Sequence, residues 1–283
     1  MRRRDARSAR SIAWCPVAEC DLAQDLTLAV SLAEEAGELL IDHWAARDRL
    51  TVRAKRAGDF VSQADRDAEA HLRRGLAEAR PADGWLGEET GGRAGGARRW
   101  IVDPLDGTTN FLHGIGHWAV AMALEVAGDL LLGVIHDPLR GETFAATRGR
   151  GATLNGQAMA VSGATRMDAA LFGTGIPFGT MPHIDDHAAD IARLMPHCAG
   201  VRRMGAAALD LAYVAAGRLD GFWERRLQPW DIAAGLVLLD EAGAHTEGWS
   251  HDERPATTGT VITATPALFA GLAACLRDDR SAC

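Results

Sequence analysis

Apolar residues recur every three or four positions along the chain after Asp21. This spacing places them on one face of a helix and predicts a long amphipathic helix that ends near Trp44. A second helix is predicted from Ser62, whose hydroxyl can cap the first backbone amides, to about Ala79, just before Pro81. The apolar positions of the first helix are Leu22, Leu26, Ala29, Val30, Ala33, Ala36, Leu39 and Leu40.

The residues between this second helix and the middle of the chain predict β-structure. Two apolar runs at 119–126 and 130–136 flank a short polar turn and predict a hairpin. The bulky residues 100–102 predict a buried strand, which the following Asp-Pro should end because proline cannot extend a strand ladder. The glycine-rich segment 91–96 predicts an exposed, mobile loop. Short strands are also expected at 50–53, 85–88 and 142–147.

The second half of the chain alternates predicted strands and helices, which is typical of a layered α/β unit. Gly217 and Gly243 follow two of the helices, where a left-handed residue commonly ends a helix. We find no internal repeat and no linker long enough to separate independent domains. Strands are predicted at 171–174, 219–224 and 261–264, and helices at 184–195, 206–216 and 231–242.

Composition limits the classes of partner that a protein with this mixed α/β fold could have. The 283 residues are 47% hydrophobic and 24% charged, as in ordinary globular proteins. The net charge of -8 argues against a nucleic-acid partner held by a basic surface. No run approaches the roughly 18 to 20 apolar residues of a membrane span, so no membrane partner is expected.

The arginine-rich residues 1–20 superficially resemble the start of a signal peptide, but their apolar part is short and interrupted by Pro16. We expect a disordered leader and a cytoplasmic protein. The five cysteines are an odd number without zinc-type spacing, and we interpret them as reduced thiols.

The most informative chemistry lies in residues 100–111, where an apolar strand leads into Asp-Pro-Leu-Asp-Gly-Thr-Thr-Asn-Phe. Asp103 and Asp106 are three residues apart, and Gly107 permits a turn that brings them together. Two close carboxylates repel unless a cation lies between them, and such oxygen ligands suit Mg²⁺ or Mn²⁺. The following hydroxyls and amides could hold phosphate. Taken alone, the string could equally be a polar turn after a core strand.

The string at 103–111 resembles the signature of the inositol monophosphatase family, a group of lithium-sensitive, magnesium-dependent phosphatases. Gly-Glu-Glu-Thr at 87–90 and Trp-Asp-Ile-Ala-Ala-Gly at 230–235 resemble that family's other two metal-ligand segments, in the same order. The resemblance runs from about Asp21 to Leu272. It implies a layered α-β-α-β-α sandwich, with an α+β half at 21–157 and an α/β half at 158–275 that form one structural unit.

The resemblance also implies a metal centre that holds two or three Mg²⁺ ions. Glu88, Asp103 and the carbonyl of Leu105 would hold one ion, and Asp103, Asp106 and Asp231 would hold a second. Two cations about 4 Å apart can stabilise both the attacking and the leaving oxygen of an in-line displacement. Taken alone, Asp231 could be an ordinary acid in the first turn of a helix.

Family positions for the catalytic groups match Asp65, Glu88 and Thr108, which would surround the attacking water. Asp65 is otherwise an ordinary acid at a helix start.

Substrate contacts are implied by the same resemblance. Phosphate would rest on the N–H groups of Gly107 and Thr108, and Gly205, Ala207 and Glu224 match the substrate pocket. Glu224 could instead pair with Arg225 or Arg226. Ala206 and Gly116 depart from residues common in relatives, which bears on substrate identity.

Three histidines flank the predicted site without forming a metal set, so we expect surface or supporting roles for His113, His117 and His136. Among 30 basic residues only Lys55 is lysine, and Asn110 and Asn155 are the only asparagines. We hypothesise that Lys55, Asn110 and Asn155 are retained for chemical or conformational reasons.

The activity implied by the resemblance is hydrolysis of myo-inositol monophosphate to myo-inositol and phosphate by attack of a metal-activated water. The alternatives are the same chemistry on histidinol phosphate, fructose 1,6-bisphosphate or 3′-phosphoadenosine 5′-phosphate. A regulatory role is a third possibility, since a bacterial relative is associated with RNA polymerase and ribosomal RNA synthesis. A homodimer and inhibition by lithium are further expectations from the family.

Overall fold

The computed structural model of the chain describes residues 21–56, 59–176 and 184–277, and of residues 53–56 and 59–61 it describes the backbone alone. The predicted leader at 1–20 lies outside these ranges. The α-helices of the described part are α1 (Leu22–Ala45), α2 (Gln63–Ala79), α3 (Thr108–Leu112), α4 (Ile184–Leu194), α5 (Ala207–Ala215), α6 (Pro229–Ala242), α7 (Pro255–Thr258) and α8 (Pro266–Leu276).

The strands divide among one hairpin and two larger sheets. They are β1 (Val52–Arg56), β2 (Asp59–Ser62), β3 (Gly84–Gly87), β4 (Gly91–Arg93), β5 (Arg98–Asp106), β6 (Ala119–Val126), β7 (Asp129–Asp137), β8 (Glu142–Thr147), β9 (Ala152–Leu154), β10 (Gln157–Met159), β11 (Leu171–Thr174), β12 (Gly200–Arg202), β13 (Gly221–Glu224), β14 (His245–Glu247) and β15 (Val261–Ala264).

The large sheet has eight strands in the order β10-β9-β8-β7-β6-β5-β3-β4. Its strands are antiparallel except for the parallel pair β3 and β5. The smaller sheet has the order β12-β11-β13-β15-β14. Strands β12, β11 and β13 are parallel to one another, β15 is antiparallel to β13, and β14 is antiparallel to β15.

Helices cover both sheets and give five layers. Helices α1 and α2 pack on one face of the large sheet, and α6 packs on its other face beside α5. Helix α5 also contacts β11 and β13 of the smaller sheet, whose outer side is covered by α8 with α4 beside it. The predicted α-β-α-β-α sandwich is therefore confirmed.

The outer helix layer follows the predicted apolar stripe. Ala29, Ala36 and Leu40 of α1 are fully buried and pack in one cluster with Trp100 of β5. The start of α2 is fixed by a capping box, in which Ser62 caps Ala64 N–H and the carboxylate of Asp65 accepts a hydrogen bond from Ser62 N–H at 2.8 Å.

Helix α6 lies close against the large sheet because β7 has glycine at the contact. A Cβ at Gly133 would collide with the carbonyl oxygen of Ala234 and lie 3.0 Å from its Cα. Both obstacles belong to the backbone, which cannot turn away as a side chain can. The contact therefore fixes the spacing between the sheet and the helix whose first turn carries Asp231.

Gly133→Ala is expected to lower the free energy of unfolding by about 1–3 kcal/mol, because the added methyl forces α6 away from β7. Denaturant unfolding of the purified protein measures this. Gly96→Ala is the control, since a Cβ there meets no atom within 4 Å. A Gly133→Ala protein as stable as the control would show that α6 can move away from β7 at no cost in stability.

Some predictions need correction. The glycine-rich segment 91–96 is not wholly a loop, because β4 pairs antiparallel with β3. The strands β12 and β14 and the helix α8 were not predicted, although Pro266 opens α8 at the usual first position. Cys198 is a free thiol, but Cys275 is disulfide-bonded, so the interpretation of five reduced thiols is wrong.

In the described ranges, no helix combines the length and the apolar character that a membrane span requires.

Candidate active site

A bulge in β5 brings Asp103 and Asp106 to the same end of the strand. Asp103 pairs with Ala121 and Asp106 with Ala119, so the two residues between them fall outside the ladder. Pro104 lies in this bulge, where a missing N–H costs no ladder hydrogen bond. The expectation that the strand ends at Asp103 is therefore wrong: β5 continues to Asp106.

Gly107 follows at once and adopts a left-handed φ of +93° as the N-cap of α3. A Cβ there would lie 2.9 Å from the carbonyl oxygen of His117, so the turn requires glycine. Thr108 begins α3, and its hydroxyl lies 2.8 Å from Asp65 Oδ1 and 3.1 Å from the carbonyl oxygen of Leu105. The structure thus brings Asp65 to the same turn as the two aspartates.

The carboxylates of β5 are buried together, with Asp103 2% and Asp106 9% exposed. Burial raises the pKa of Asp103 well above its ordinary value, and repulsion from Glu88, Asp106 and Asp231 raises it further. Burial likewise raises the pKa of Asp106, to about 7, although the hydrogen bond from Ala208 N–H acts in the opposite direction. The site therefore concentrates more negative charge than the surrounding protein neutralises.

Glu88 joins this cluster from the end of β3. Its N–H donates to the carbonyl oxygen of Val102 at 3.3 Å, which places the half-buried residue beside β5. The next two N–H groups, of Glu89 and Thr90, donate to the carboxylate of Glu69 at 2.7 and 2.8 Å. Glu69 is fully buried and therefore clamps the turn that carries Glu88.

The sequence reasoning missed Glu69. One signal was available, because Glu69 follows Asp65 by four residues and lies beside the buried Ala68 on α2. An acid within the buried face of an amphipathic helix needs a partner, and partners of this kind often support a site.

Asp231 reaches the cluster from the smaller half of the fold. It occupies the third position of α6, where Asp231 Oδ2 accepts a hydrogen bond from Gln228 N–H at 2.7 Å. The interpretation of Asp231 as an acid in the first turn of a helix is therefore correct. It does not exclude a site role, because Asp231 also lies close enough to raise the pKa of both Asp103 and Glu224.

Hydrogen bonds at the site tie the end of β5 and the turn after it to the second half of the chain. Asp106 Oδ2 accepts from Ala208 N–H, in the first turn of α5, at 2.8 Å. The side-chain amide of Asn110 donates to the carbonyl oxygens of Met204 and His117, both at 2.8 Å. Asn110 therefore connects the turn after β5 with the segment that precedes Gly205, which itself has a φ of +90°. Ala207 begins α5 next to this glycine.

Glu224 ends β13 and is half-buried. Loss of water contact raises its pKa well above the ordinary value, repulsion from Asp231, Asp210 and Asp106 adds to this, and Arg203 opposes it. Gly175 lies against the Glu224 carboxylate, where a Cβ would collide with it.

Of the alternative partners predicted for Glu224, Arg225 is engaged elsewhere. The guanidinium of Arg225 binds the buried carboxylate of Asp190 and stacks over Trp249. This leaves Glu224 facing the site rather than the arginine beside it.

The three histidines take supporting or surface positions. His113 is exposed. His117 Nε2 lies 2.8 Å from Asp210 Oδ1, and His136 Nδ1 lies 2.9 Å from the hydroxyl of Thr143. Asp210 was also missed, and burial raises its pKa.

The hypothesis that Asn155 and Lys55 are retained for a chemical or conformational reason can be checked for Asn155 alone. Asn155 has a positive φ of +49° and accepts a hydrogen bond from Thr143 N–H, which supports the proposed conformational reason. The side chain of Lys55 lies outside the described part.

The donor set of the cluster fits Mg²⁺. Every candidate ligand atom is a carboxylate or carbonyl oxygen, and several buried carboxylates in one place favour either a compensating cation or protonation. Among the described residues, no three His, Cys, Asp or Glu side chains already form a metal-binding group. Oxygens of Asp103, Asp106 and Asp231 accept backbone hydrogen bonds instead, so we expect these side chains to reorient when a metal binds.

The repulsion predicts a pH dependence of the metal-free protein. The pKa of Asp106 is about 7 in the folded chain against an ordinary 3.8, so between these values the folded state holds the extra proton. Stability should therefore fall as pH rises from 5 to 7, by about 1.4 kcal/mol per pH unit for this carboxylate. Thermal unfolding in chelator measures the slope.

Asp106→Asn should reduce this slope, because the amide cannot titrate, and added Mg²⁺ should reduce it as well. Metal-free stability that stays constant or increases between pH 5 and 7 would contradict the predicted repulsion.

The layered fold and the carboxylate cluster on β5 define a mixed α/β protein with a candidate metal site. The model of the inositol monophosphatase family matches residues 21–281. This chain belongs to the inositol monophosphatase family.

Some proteins similar to this chain are named inositol-1-monophosphatase, and others are named SuhB. The inositol-1-monophosphatase of Rhizobium meliloti strain 1021 is 45% identical over 243 residues, which are 84% of this chain and 90% of that protein. The Nus factor SuhB of Pseudomonas aeruginosa is 42% identical over 253 residues, 87% of this chain and 93% of that protein. The crystal structure of the extragenic suppressor protein suhB from Bartonella henselae has a TM-score of 0.87 and 40% identity, with 90% of this chain and 98% of that chain covered.

Proposed function

We propose that this protein is a magnesium-dependent phosphomonoesterase that hydrolyses myo-inositol monophosphate to myo-inositol and phosphate. The observation that carries the proposal is the buried cluster in which Glu88, Asp106 and Asp231 raise the pKa of Asp103. The similar Rhizobium meliloti inositol-1-monophosphatase supports the choice of substrate.

Two or three Mg²⁺ ions are the proposed cofactors. Glu88, Asp103 and the carbonyl of Leu105 would hold one ion, and Asp103, Asp106 and Asp231 a second. Bound metal would lower the pKa of the attacking water and neutralise charge on the leaving oxygen. The bulge in β5 supports this assignment, because it presents Asp103, Asp106 and the intervening carbonyl from one short segment.

Asp65 and Thr108 would position the water, together with Glu88. The Thr108 hydroxyl lies within hydrogen-bonding distance of Asp65 Oδ1, and Asp65 Oδ2 is held by Ser62 N–H and by the Ser62 hydroxyl at 2.5 Å. A threonine that donates to Asp65 retains lone pairs with which it can accept a hydrogen bond from water. Asp65 is fully buried, so its own role is to orient Thr108.

The remaining predicted residues would bind the substrate. The N–H groups of Gly107 and Thr108 lie at the start of α3 and would hold the phosphate. Gly205 and Ala207 would line the pocket, with Asn110 fixing their distance from the phosphate turn. Glu224 would accept hydrogen bonds from polyol hydroxyls, which its position among the site acids supports.

Thr108→Val is expected to lower kcat about 10- to 100-fold, because the methyl group that replaces the hydroxyl can neither donate to Asp65 nor accept a hydrogen bond from the water. Thr108→Ser keeps the hydroxyl and should retain most activity. Steady-state phosphate release at saturating Mg²⁺ measures both variants. Equal activity of the valine and serine variants would remove the hydroxyl from the proposed mechanism.

The deciding experiment is phosphate release from inositol 1-phosphate with Mg²⁺ and with chelator. Histidinol phosphate, fructose 1,6-bisphosphate and 3′-phosphoadenosine 5′-phosphate are assayed beside it. We expect turnover that depends on Mg²⁺ and is greatest on inositol 1-phosphate. Preference for another ester would retain the chemistry and reject the substrate, and absence of release from all four would reject both.

A second candidate function is a regulatory role in transcription, which the similarity to a protein named Nus factor SuhB favours. The two functions can coexist on one chain. Specific retention of RNA polymerase subunits by the immobilised protein, undiminished in Asp103→Asn, would support a role separate from hydrolysis.

Further proposals concern the oligomeric state, the location, the inhibition and the domain organisation of the protein. We propose a homodimer, a cytoplasmic location, inhibition by lithium, and an organisation in halves at 21–157 and 158–275 that act as one unit. Sedimentation that shows only monomer at micromolar concentration would reject the dimer.

A further inference from the structure

A cavity separate from the candidate active site lies between helix α2 and the edge hairpin of β3 and β4. Its volume is about 590 Å³, within the range of small-molecule sites. None of the residues assigned above to metal, catalysis or substrate lines it. A ligand bound here would therefore not compete directly for those groups.

The rim of this cavity is strongly basic, although the chain as a whole has a net charge of -8. Four arginines line it: Arg73, Arg74, Arg80 and Arg93. Within the described residues, Arg73 and Arg74 form no ion pair with a carboxylate. The guanidinium of Arg93 donates to the backbone carbonyl of Asp83 at 2.7 Å.

The acid in the cavity wall does not cancel this charge. The carboxylate of Asp83 already pairs with Arg98 at 3.0 Å and accepts a hydrogen bond from the indole N–H of Trp100. Arg80 pairs with Asp25, which is 1% exposed and also binds Arg98. Most of the rim charge is therefore uncompensated, which favours an anion.

The deeper wall is apolar and includes two buried tryptophans. Trp85 donates its indole N–H to the Thr90 hydroxyl at 3.1 Å, and Trp100 donates to Asp83 at 3.0 Å. Both polar atoms are engaged, so the edges of Trp85 and Trp100 that reach the cavity, 5% and 1% exposed, are apolar, and the exposed Ala77 of α2 adds apolar surface beside them. Apolar surface of this kind accepts a ring rather than another charged group.

We propose that this cavity binds a small organic phosphate that carries a flat ring. The arginine rim would bind the phosphate, because guanidinium groups match phosphate oxygens in geometry and charge. The ring would cover the apolar surface formed by Ala77 and the edge of Trp85. The proposal does not depend on the function proposed for the carboxylate site.

The test is calorimetric titration of the full chain in chelator with phenylphosphonate, which a phosphatase does not hydrolyse. Chelator leaves the acidic site unfavourable for anions, so binding reports on the basic cavity. Inorganic phosphate is titrated in parallel. We expect phenylphosphonate to bind at least tenfold more tightly than inorganic phosphate, because only the former covers the apolar wall.

Two kinds of variant locate the binding. Arg73→Ala with Arg74→Ala removes rim charge, and Ala77→Trp fills the cavity from an exposed helix position while it keeps every charge. Both should weaken phenylphosphonate binding at least tenfold. Arg148→Ala with Arg254→Ala removes two exposed arginines elsewhere and should change it less than twofold.

Three outcomes would overturn the proposal. They are no binding to the original chain, equal weakening by the control pair, and unchanged binding in Ala77→Trp. Equal affinity for inorganic phosphate would overturn the assignment of a ring-bearing ligand.

Discussion

Asp103→Asn is expected to lower Mg²⁺-dependent phosphate release from inositol 1-phosphate at least about a thousandfold. Asp103 is the proposed ligand of both ions, and a metal centre contributes several kcal/mol to the transition state, each 1.4 kcal/mol being a factor of ten in rate. Asparagine retains an oxygen that can accept the hydrogen bond from Leu105 N–H, so local geometry should survive. Phosphate release at several Mg²⁺ concentrations measures the loss.

Stability separates this effect from misfolding. Since Asp103 lies among carboxylates that repel it, the metal-free variant should be as stable as the original chain or more stable. Mg²⁺ should stabilise the original chain by mass action and the variant much less.

Asp190→Asn is the matched control, because Asp190 is equally buried but is paired with Arg193 and Arg225. It should lose stability and keep Mg²⁺-dependent turnover. An Asp103→Asn enzyme with activity within tenfold of the original would reject Asp103 as a metal ligand.

Glu69→Ala is expected to lower the free energy of unfolding by about 3 kcal/mol and the activity about 10- to 100-fold. The change leaves the N–H groups of Glu89 and Thr90 without their acceptor in a half-buried turn, at roughly 1–3 kcal/mol each. Activity falls because this turn places Glu88, and residues that orient metal ligands typically have effects of this size. Denaturant unfolding and the Mg²⁺ dependence of turnover measure the two effects.

Two further variants test the clamp. Glu69→Gln retains one acceptor oxygen and should lie between alanine and the original chain. Glu78→Ala, at an exposed position on the same helix, should leave stability and activity nearly unchanged. A Glu69→Ala protein that requires no more Mg²⁺ than the original would show that Glu88 is held by other contacts.

The sequence predicted those parts of the site and the fold that are formed by residues close together in the chain. Asp103, Asp106 and Thr108 lie within six residues, so their proximity followed from one strand and one turn. The apolar spacing of α1 and the cap at Ser62 were readable for the same reason. The three-residue strands β12 and β14 were not, because so short a segment shows no period and forms only beside an existing partner.

Other features depend on contacts between distant residues. Proline in an otherwise apolar run predicts the end of a strand, and only the pairing of Asp106 with Ala119 shows that β5 continues past it. Glu69 and Asp210 were missed because their partners lie 20 or more residues away in the chain. Their common signal is an acid on a buried helix face, and that signal does not name the partner.

The proposed site draws on both sheets and on Asp231 of α6. The β5 carboxylates belong to the large sheet, whereas Gly205 and Glu224 come from the smaller sheet and its connections. Descendants of such a gene could therefore change the proposed substrate contacts at Gly205 and Glu224 while they keep the β5 carboxylates. Ala206, at the seam between them, is the kind of position where that divergence would first become visible.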